Sequence, residues 1–127
     1  MVGIVIVSHS AELARGLVEL ARQMAGDEVR IEPAGGGPDG SLGTSEALVR
    51  AAIARAQDGD GVLVLADLGS SILTVRVVLE HDVGDPIELA DAPLVEGTLA
   101  AAVIASTGAP LDDVRAAAEE ARVVGKL

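Results

Sequence analysis

Residues 3–7 (GIVIV) form a short run of mostly β-branched residues that breaks at Ser8, His9 and Ser10, a pattern that predicts a strand buried on both faces. Helical spacing follows. Leu13, Leu17, Leu20 and Met24 recur at intervals of four, three and four, with Glu12, Arg15, Glu19 and Arg22 between them. This predicts an amphipathic helix over residues 11–24, capped by Ser10 and stopped by Gly26. A second, short strand is expected over residues 29–32. Residues 33–43 (PAGGGPDGSLG) carry the densest cluster of Gly and Pro and read as a loop. Thr44 or Ser45 can cap a helix over residues 46–57 whose apolar face is Leu48, Ala52 and Ile53. Residues 62–66 (VLVLA) read as a third buried strand, ended by residues 67–71 (DLGSS) and followed by a helix from about residue 72 to residue 80. A weak fourth strand over 87–90 follows a turn at Gly84, Asp85 and Pro86, and helices over 94–106 and 112–124 are separated by Gly108 and Pro110.

Strand and helix alternate throughout, which predicts an α/β three-layer sandwich with a mainly parallel central sheet and helices on both faces. The expected strand order is 2-1-3-4, with room for one extra edge strand. No internal repeat or heptad run is visible, and residues 1–127 read as a single domain.

Composition narrows the function. Half the chain is hydrophobic, yet Phe, Tyr and Trp are absent, so the core is built from Val, Leu, Ile and Ala. Without aromatic platforms, and with a net charge of −11, the chain is unsuited to stacking bases or neutralising a phosphate backbone; no nucleic-acid partner is expected. The absence of Cys excludes disulfides, thiolate zinc sites and cysteine nucleophiles. The apolar start is too short and lacks the preceding charge of a secretory signal, and no apolar run reaches the roughly 18 residues of a membrane span. A cytoplasmic protein without membrane contact is the expectation.

In open parallel sheets, ligands sit beyond the carboxyl ends of the strands, beside the point where strand order reverses. With order 2-1-3-4 the first and third strands are neighbours there, which puts His9 and Asp67 side by side. A histidine just after a strand is more often a capping or surface residue. Here the flanking serines and a carboxylate partner shift the reading to catalysis. A neutral imidazole can attack phosphorus through one ring nitrogen if the other donates its proton to a carboxylate, which fixes the tautomer and stabilises the developing cation. The captured phosphoryl group then needs donors. Helix N-termini after Ser10, Thr44 and Ser70 can supply backbone N–H groups, and Thr44, Ser70 and Ser71 can add hydroxyls. The candidate phosphoryl-binding set is Ser10, Thr44, Ser45, Gly69, Ser70 and Ser71.

Other signals are weaker. The loop over 35–43 lacks the Gly-Lys-Ser/Thr ending of a Walker loop, and the first strand does not end in the glycines of a Rossmann fingerprint. His81 reads as a capping or surface residue, and Asp112, Asp113, Glu119 and Glu120 as a solvated helix face. No metal site is expected.

The stretches Gly3-Ile4-Val5-Ile6-Val7-Ser8-His9-Ser10, Gly43-Thr44-Ser45, Asp67-Leu68-Gly69-Ser70-Ser71 and Ala92-Pro93-Leu94-Val95-Glu96-Gly97 together resemble the DhaM phosphocarrier subunits of phosphoenolpyruvate-dependent dihydroxyacetone kinases. These are similar to the enzyme IIA domains of mannose-type sugar phosphotransferase systems. The resemblance covers nearly the whole chain. It implies a relay in which phosphoenolpyruvate charges enzyme I, enzyme I charges HPr, and phospho-HPr passes the phosphoryl group to a histidine matched here by His9. The acceptor is then ADP, held with magnesium on the DhaL subunit, while DhaK holds dihydroxyacetone; this chain itself needs no cofactor. The resemblance further implies phosphorylation on Nε2, with an aspartate orienting Nδ1, matched by Asp67, and a homodimer. Some DhaM proteins continue into HPr-like and enzyme I-like domains, which this chain stops short of, so separate donors are expected.

The sugar branch usually reads Gly-Thr-His-Gly around the histidine and Gly-Gly-Ser-Pro at the later motif, where this chain has Val7-Ser8-His9-Ser10 and Gly69-Ser70-Ser71. These departures favour DhaM. The alternative is a sugar-system IIA component passing phosphate to a IIB domain. A histidine phosphatase is disfavoured by Ser8 in place of an arginine before the histidine, and a receiver phosphorylated on Asp67 by the lack of acidic residues after the first strand. A plain binding module predicts that His9→Ala leaves function intact.

Overall fold

The computed structural model describes residues 1–127 except Asp82, Val83 and Asp85, so the turn expected at Gly84, Asp85 and Pro86 falls partly outside the described residues. The chain forms β1 (Gly3–Ser8), α1 (Ala11–Ala25), β2 (Ile31–Gly35), α2 (Glu46–Ala56), β3 (Val62–Ala66), α3 (Gly69–Glu80), β4 (Ile87–Leu89), α4 (Leu94–Ala105) and α5 (Leu111–Glu120). All four strands are parallel, in the order β2-β1-β3-β4. The expected sandwich and strand order are therefore present; among the described residues no fifth strand joins the sheet.

Alternation along the strands sorts two apolar layers, because successive side chains leave a strand on opposite faces. Ile4 and Ile6 of β1, with Leu63 and Leu65 of β3, pack against α1, α4 and α5. Val5 and Val7, with Val62, Val64 and Ala66, pack against α2 and α3. The central strands are buried on both sides, which explains why GIVIV and VLVLA carry no polar alternation.

Helix α1 buries Ala14, Leu17, Val18 and Ala21, so of the stripe that its spacing suggests only Leu17 faces the core: Leu13, Leu20 and Met24 stay 45%, 42% and 58% exposed. The cause is a close approach to β2. A Cβ on Gly35 would lie 2.7 Å from Ala11 Cα and from the Ser10 carbonyl, so small residues face the sheet and larger ones flank the contact. Helix α2 buries Ala52 and Ile53 of its expected face together with Val49 and Ala56, while Leu48 stays partly exposed.

Strand β2 begins later and runs further than expected, through Pro33 to Gly35. An edge strand tolerates proline because half of its N–H groups have no ladder partner. Its free edge is also closed: the Ile31 carbonyl accepts from the Arg22 guanidinium at 3.1 Å and the Pro33 carbonyl from Arg55 at 3.5 Å. Helix α3 starts at Gly69, so Gly69, Ser70 and Ser71 form its first turn instead of a preceding loop. Helix α5 ends at Glu120, short of the expected residue 124, and the next residues continue as a turn.

Candidate active site

Because β1 and β3 are adjacent and parallel, their carboxyl ends deliver His9 and Asp67 to one place. The Asp67 N–H donates to the Val7 carbonyl at 3.1 Å, extending the ladder one step beyond the strands. His9 Nδ1 then lies 3.0 Å from Asp67 Oδ1, and the His9 backbone N–H donates to Asp67 Oδ2 at 3.0 Å. Serine hydroxyls complete the carboxylate's shell: Ser71 donates to Oδ1 at 2.8 Å and Ser8 to Oδ2 at 2.9 Å. The Leu68 N–H also reaches Oδ1, at 2.7 Å.

Burial alone raises the Asp67 pKa. It is outweighed by the donors from the His9 backbone, the Ser71 hydroxyl, the His9 ring and the Ser8 hydroxyl, which together lower it from 3.8 to about 2. The carboxylate is thus ionised and can only accept hydrogen bonds, a constraint that sets every proton in the network. Ser71 spends its proton on Asp67, so Thr44, 3.1 Å away, must donate to Ser71. Nδ1 faces two acceptors, Asp67 Oδ1 and Ser71 Oγ, each at 3.0 Å, and must carry the ring proton. In the neutral imidazole Nε2 then holds the lone pair and accepts from the Ser70 hydroxyl. The imidazole is a prepared nucleophile, its free nitrogen pointing outward from a ring whose other nitrogen is held by a carboxylate.

Around Nε2 the hydrogen-bonded cluster contains no Lys or Arg among the described residues. Positive potential comes from backbone. The first N–H groups of α3, at Gly69, Ser70 and Ser71, precede any carbonyl that could accept them within the helix, and Leu68 supplies no side-chain cap. Helix α1 begins two residues after His9. The loop over 36–44 is tied down beside them: Gly43 N–H donates to the His9 carbonyl at 3.0 Å and Gly36 N–H to the Ser8 carbonyl at 3.1 Å.

Thus His9, Asp67, Thr44, Ser70 and Ser71 meet, and Gly69 opens the helix beside them. Ser10 and Ser45 have other hydroxyl partners: Ser10 caps α1 through the Leu13 N–H at 3.2 Å, and Ser45 caps α2 through the Leu48 N–H at 3.3 Å. Ser71 is buried and serves the carboxylate, leaving Ser70 as the hydroxyl at Nε2. Ser8, absent from the expected set, belongs to the carboxylate shell. Its signal in the sequence was a polar residue closing an otherwise aliphatic strand. No three of His, Cys, Asp and Glu converge as metal ligands among the described residues, and no described helix is long and apolar enough to cross a membrane.

Comparison with known proteins identifies the family of the chain. Residues 3–115 match the EIIA-man family, described as the PTS system fructose IIA component. The chain is 47% identical over 120 residues to the phosphoryl donor subunit DhaM of the PEP-dependent dihydroxyacetone kinase of Pantoea ananatis, covering 90% of this chain and 25% of that protein. It is 39% identical over 106 residues to a DhaM subunit of Listeria innocua, covering 81% of this chain and 85% of the relative. The crystal structure of EF1359, a protein of unknown function, superposes with a TM-score of 0.83 at 33% identity, covering 94% of this chain and 95% of the other. The chain thus spans a quarter of the Pantoea protein but most of the Listeria one. With a family model that matches residues 3–115 and relatives that are similar over most of its length, the chain belongs to the EIIA-man family, in its DhaM branch.

Proposed function

We propose that this chain is a phosphocarrier: His9 Nε2 accepts a phosphoryl group from phospho-HPr and passes it to ADP held with Mg2+ on a DhaL subunit, which with DhaK phosphorylates dihydroxyacetone. The observation that carries this reading is the Nδ1–Asp67 contact, which leaves Nε2 as the lone-pair nitrogen at a helix N-terminus. In the first step the bond from phosphorus to the donor breaks, its electron pair returning to the donor, as the Nε2 lone pair forms the new N–P bond. The ring proton stays on Nδ1. The resulting positive imidazole is offset by the Asp67 carboxylate, and the N–H groups of Gly69 and Ser70 with the Ser70 hydroxyl face the phosphoryl oxygens. The second step reverses the roles: the N–P electron pair returns to Nε2 and an ADP oxygen takes the phosphorus.

The names of the relatives support dihydroxyacetone as the eventual acceptor, and this reading requires the cytoplasm, where those donors and acceptors operate. A IIB domain of a sugar system is the alternative acceptor, suggested by the description of the family model. We also infer a homodimer, supported by Met24 of α1 and Val103 of α4, which expose apolar side chains beside Leu99.

Phosphoenolpyruvate carrying labelled phosphate, enzyme I and HPr provide the test. The wild-type chain should take up acid-labile, alkali-stable label and His9→Ala none; label retained by His9→Ala refutes the assignment. Discharge by DhaL–ADP in preference to a IIB domain would then identify the acceptor.

A further inference from the structure

Ser8 is fully buried at the last position of β1, and its hydroxyl is the one polar side chain on the six-residue strand. Its oxygen lies 2.9 Å from Asp67 Oδ2 and 3.0 Å from the Ser10 backbone nitrogen. Since the carboxylate only accepts, the Ser8 proton goes to Oδ2 and a Ser8 lone pair receives the Ser10 N–H. One hydroxyl therefore joins the aspartate to the turn that carries His9.

We propose that Ser8 is a positioning residue for phosphoryl transfer at His9, acting through Asp67. A carboxylate's terminal torsion is soft, so the group can pivot unless both oxygens are tied. On Oδ2 the two donors are the Ser8 hydroxyl and the His9 N–H. The second moves with the histidine; the first is anchored in the central strand. Ser8 fixes Oδ2 to the sheet and thereby holds Oδ1 against Nδ1, while its bond to the Ser10 N–H fixes the turn on the other side of His9. Loss of the hydroxyl leaves Oδ2 with the His9 N–H alone, removes the carboxylate's tie to the central strand, and leaves the part-buried Ser10 N–H without its acceptor. The ring proton then redistributes between Nδ1 and Nε2, and each Nε2–H molecule lacks the nucleophilic lone pair.

This inference rests on the phosphocarrier reading, and two measurements separate them. One is the rate of labelling by phosphoenolpyruvate, enzyme I and HPr; the other is the tautomer of the His9 ring, read from 15N shifts of the unphosphorylated protein. Ser8→Ala should slow labelling by about tenfold or more, as expected when a hydrogen bond to a charged group is lost. It should also shift the ring toward Nε2–H, and Ser8→Thr should restore both. A Ser8→Ala protein with the wild-type rate, or with a slower rate and an unchanged tautomer, overturns the proposal. So does a Ser8→Thr protein as impaired as Ser8→Ala. If Ser8→Ala does not fold, Ser8→Thr and Ser8→Val, similar in shape and differing in the hydroxyl, carry the same comparison. If the wild type takes no label, the phosphocarrier reading fails while the tautomer comparison still decides what Ser8 does.

Discussion

Asp67 gathers donors from three segments of chain: Ser8 and His9 at the end of β1, Leu68 beside it, and Ser71 in α3. Its function is therefore inseparable from its effect on stability. With a folded pKa of about 2 against an ordinary 3.8, the ionised group stabilises the fold at pH above 3.8, by about 2 kcal/mol. That contribution is lost as pH falls through the window between the two values. Denaturant unfolding of wild type and Asp67→Asn at several pH values should show it: from pH 5 to pH 2, roughly, wild type should lose about 2 kcal/mol more than the variant. Equal slopes would mean that the shell does not favour the ionised form. In phosphoryl transfer, Asp67→Ala should slow the rate by about 10²-fold or more, because the ring then lacks the partner that fixes its tautomer. His9 and Asp67 were legible in the sequence since each follows an aliphatic strand. The helix caps at Ser10 and Ser45 were legible too, but the roles of Ser8, Ser70 and Ser71 were not: they are alike in composition, and only the direction of each side chain separates the carboxylate donors Ser8 and Ser71 from Ser70 at Nε2.

At the scale of elements, the distance between α1 and β2 decides which side chains face the core. Two glycines, one at that contact and one on the exposed side of α1, should respond oppositely. Gly35→Ala drives a methyl group into Ala11 and the Ser10 carbonyl and should destabilise by about 1–3 kcal/mol, while displacing the turn that carries His9. Gly16 lies inside α1 with no atom within 4 Å of an added Cβ, so Gly16→Ala should stabilise by about 0.5–1 kcal/mol. Urea unfolding checks both signs; a neutral Gly35→Ala would show that the helix can lift without cost. The same close approach explains why periodicity selected the wrong stripe. Leu13, Leu20 and Met24 satisfy helical spacing, but a helix lying this near a strand takes Ala14 and Ala21 at the contact. The boundaries of β2 and α3 moved for related reasons: an edge strand admits Pro33, and the first turn of α3 is built from the Gly69-Ser70-Ser71 segment that resembles a loop by composition.

For the whole molecule, the aliphatic composition and the charge of −11 have separate consequences. Helix α4 is apolar over most of its length, which an inward stripe alone does not require, and Val95 and Val103 remain exposed. If two copies meet on this side, Val103→Glu should shift the protein from dimer to monomer in sedimentation velocity without lowering the rate at which HPr labels His9. A wild-type chain that sediments as a monomer at tens of micromolar, roughly the range in which a specific interface should persist, would remove that reading. On the phosphocarrier reading we propose, an acidic surface leaves the phosphoryl group to backbone N–H groups within this chain and favours basic docking surfaces on its partners.

The sequence by itself determined the α/β alternation, the two doubly buried strands, the pairing of His9 with Asp67 and the function classes that an aromatic-free acidic chain excludes. These follow from local order: apolar runs specify buried strands, and parallel strands end on the same side of a sheet. Tertiary structure alone decided which serines serve the carboxylate, which face of α1 is buried and that Ser8 belongs to the site. Those depend on the distance and angle between segments far apart in the chain, which no local pattern encodes.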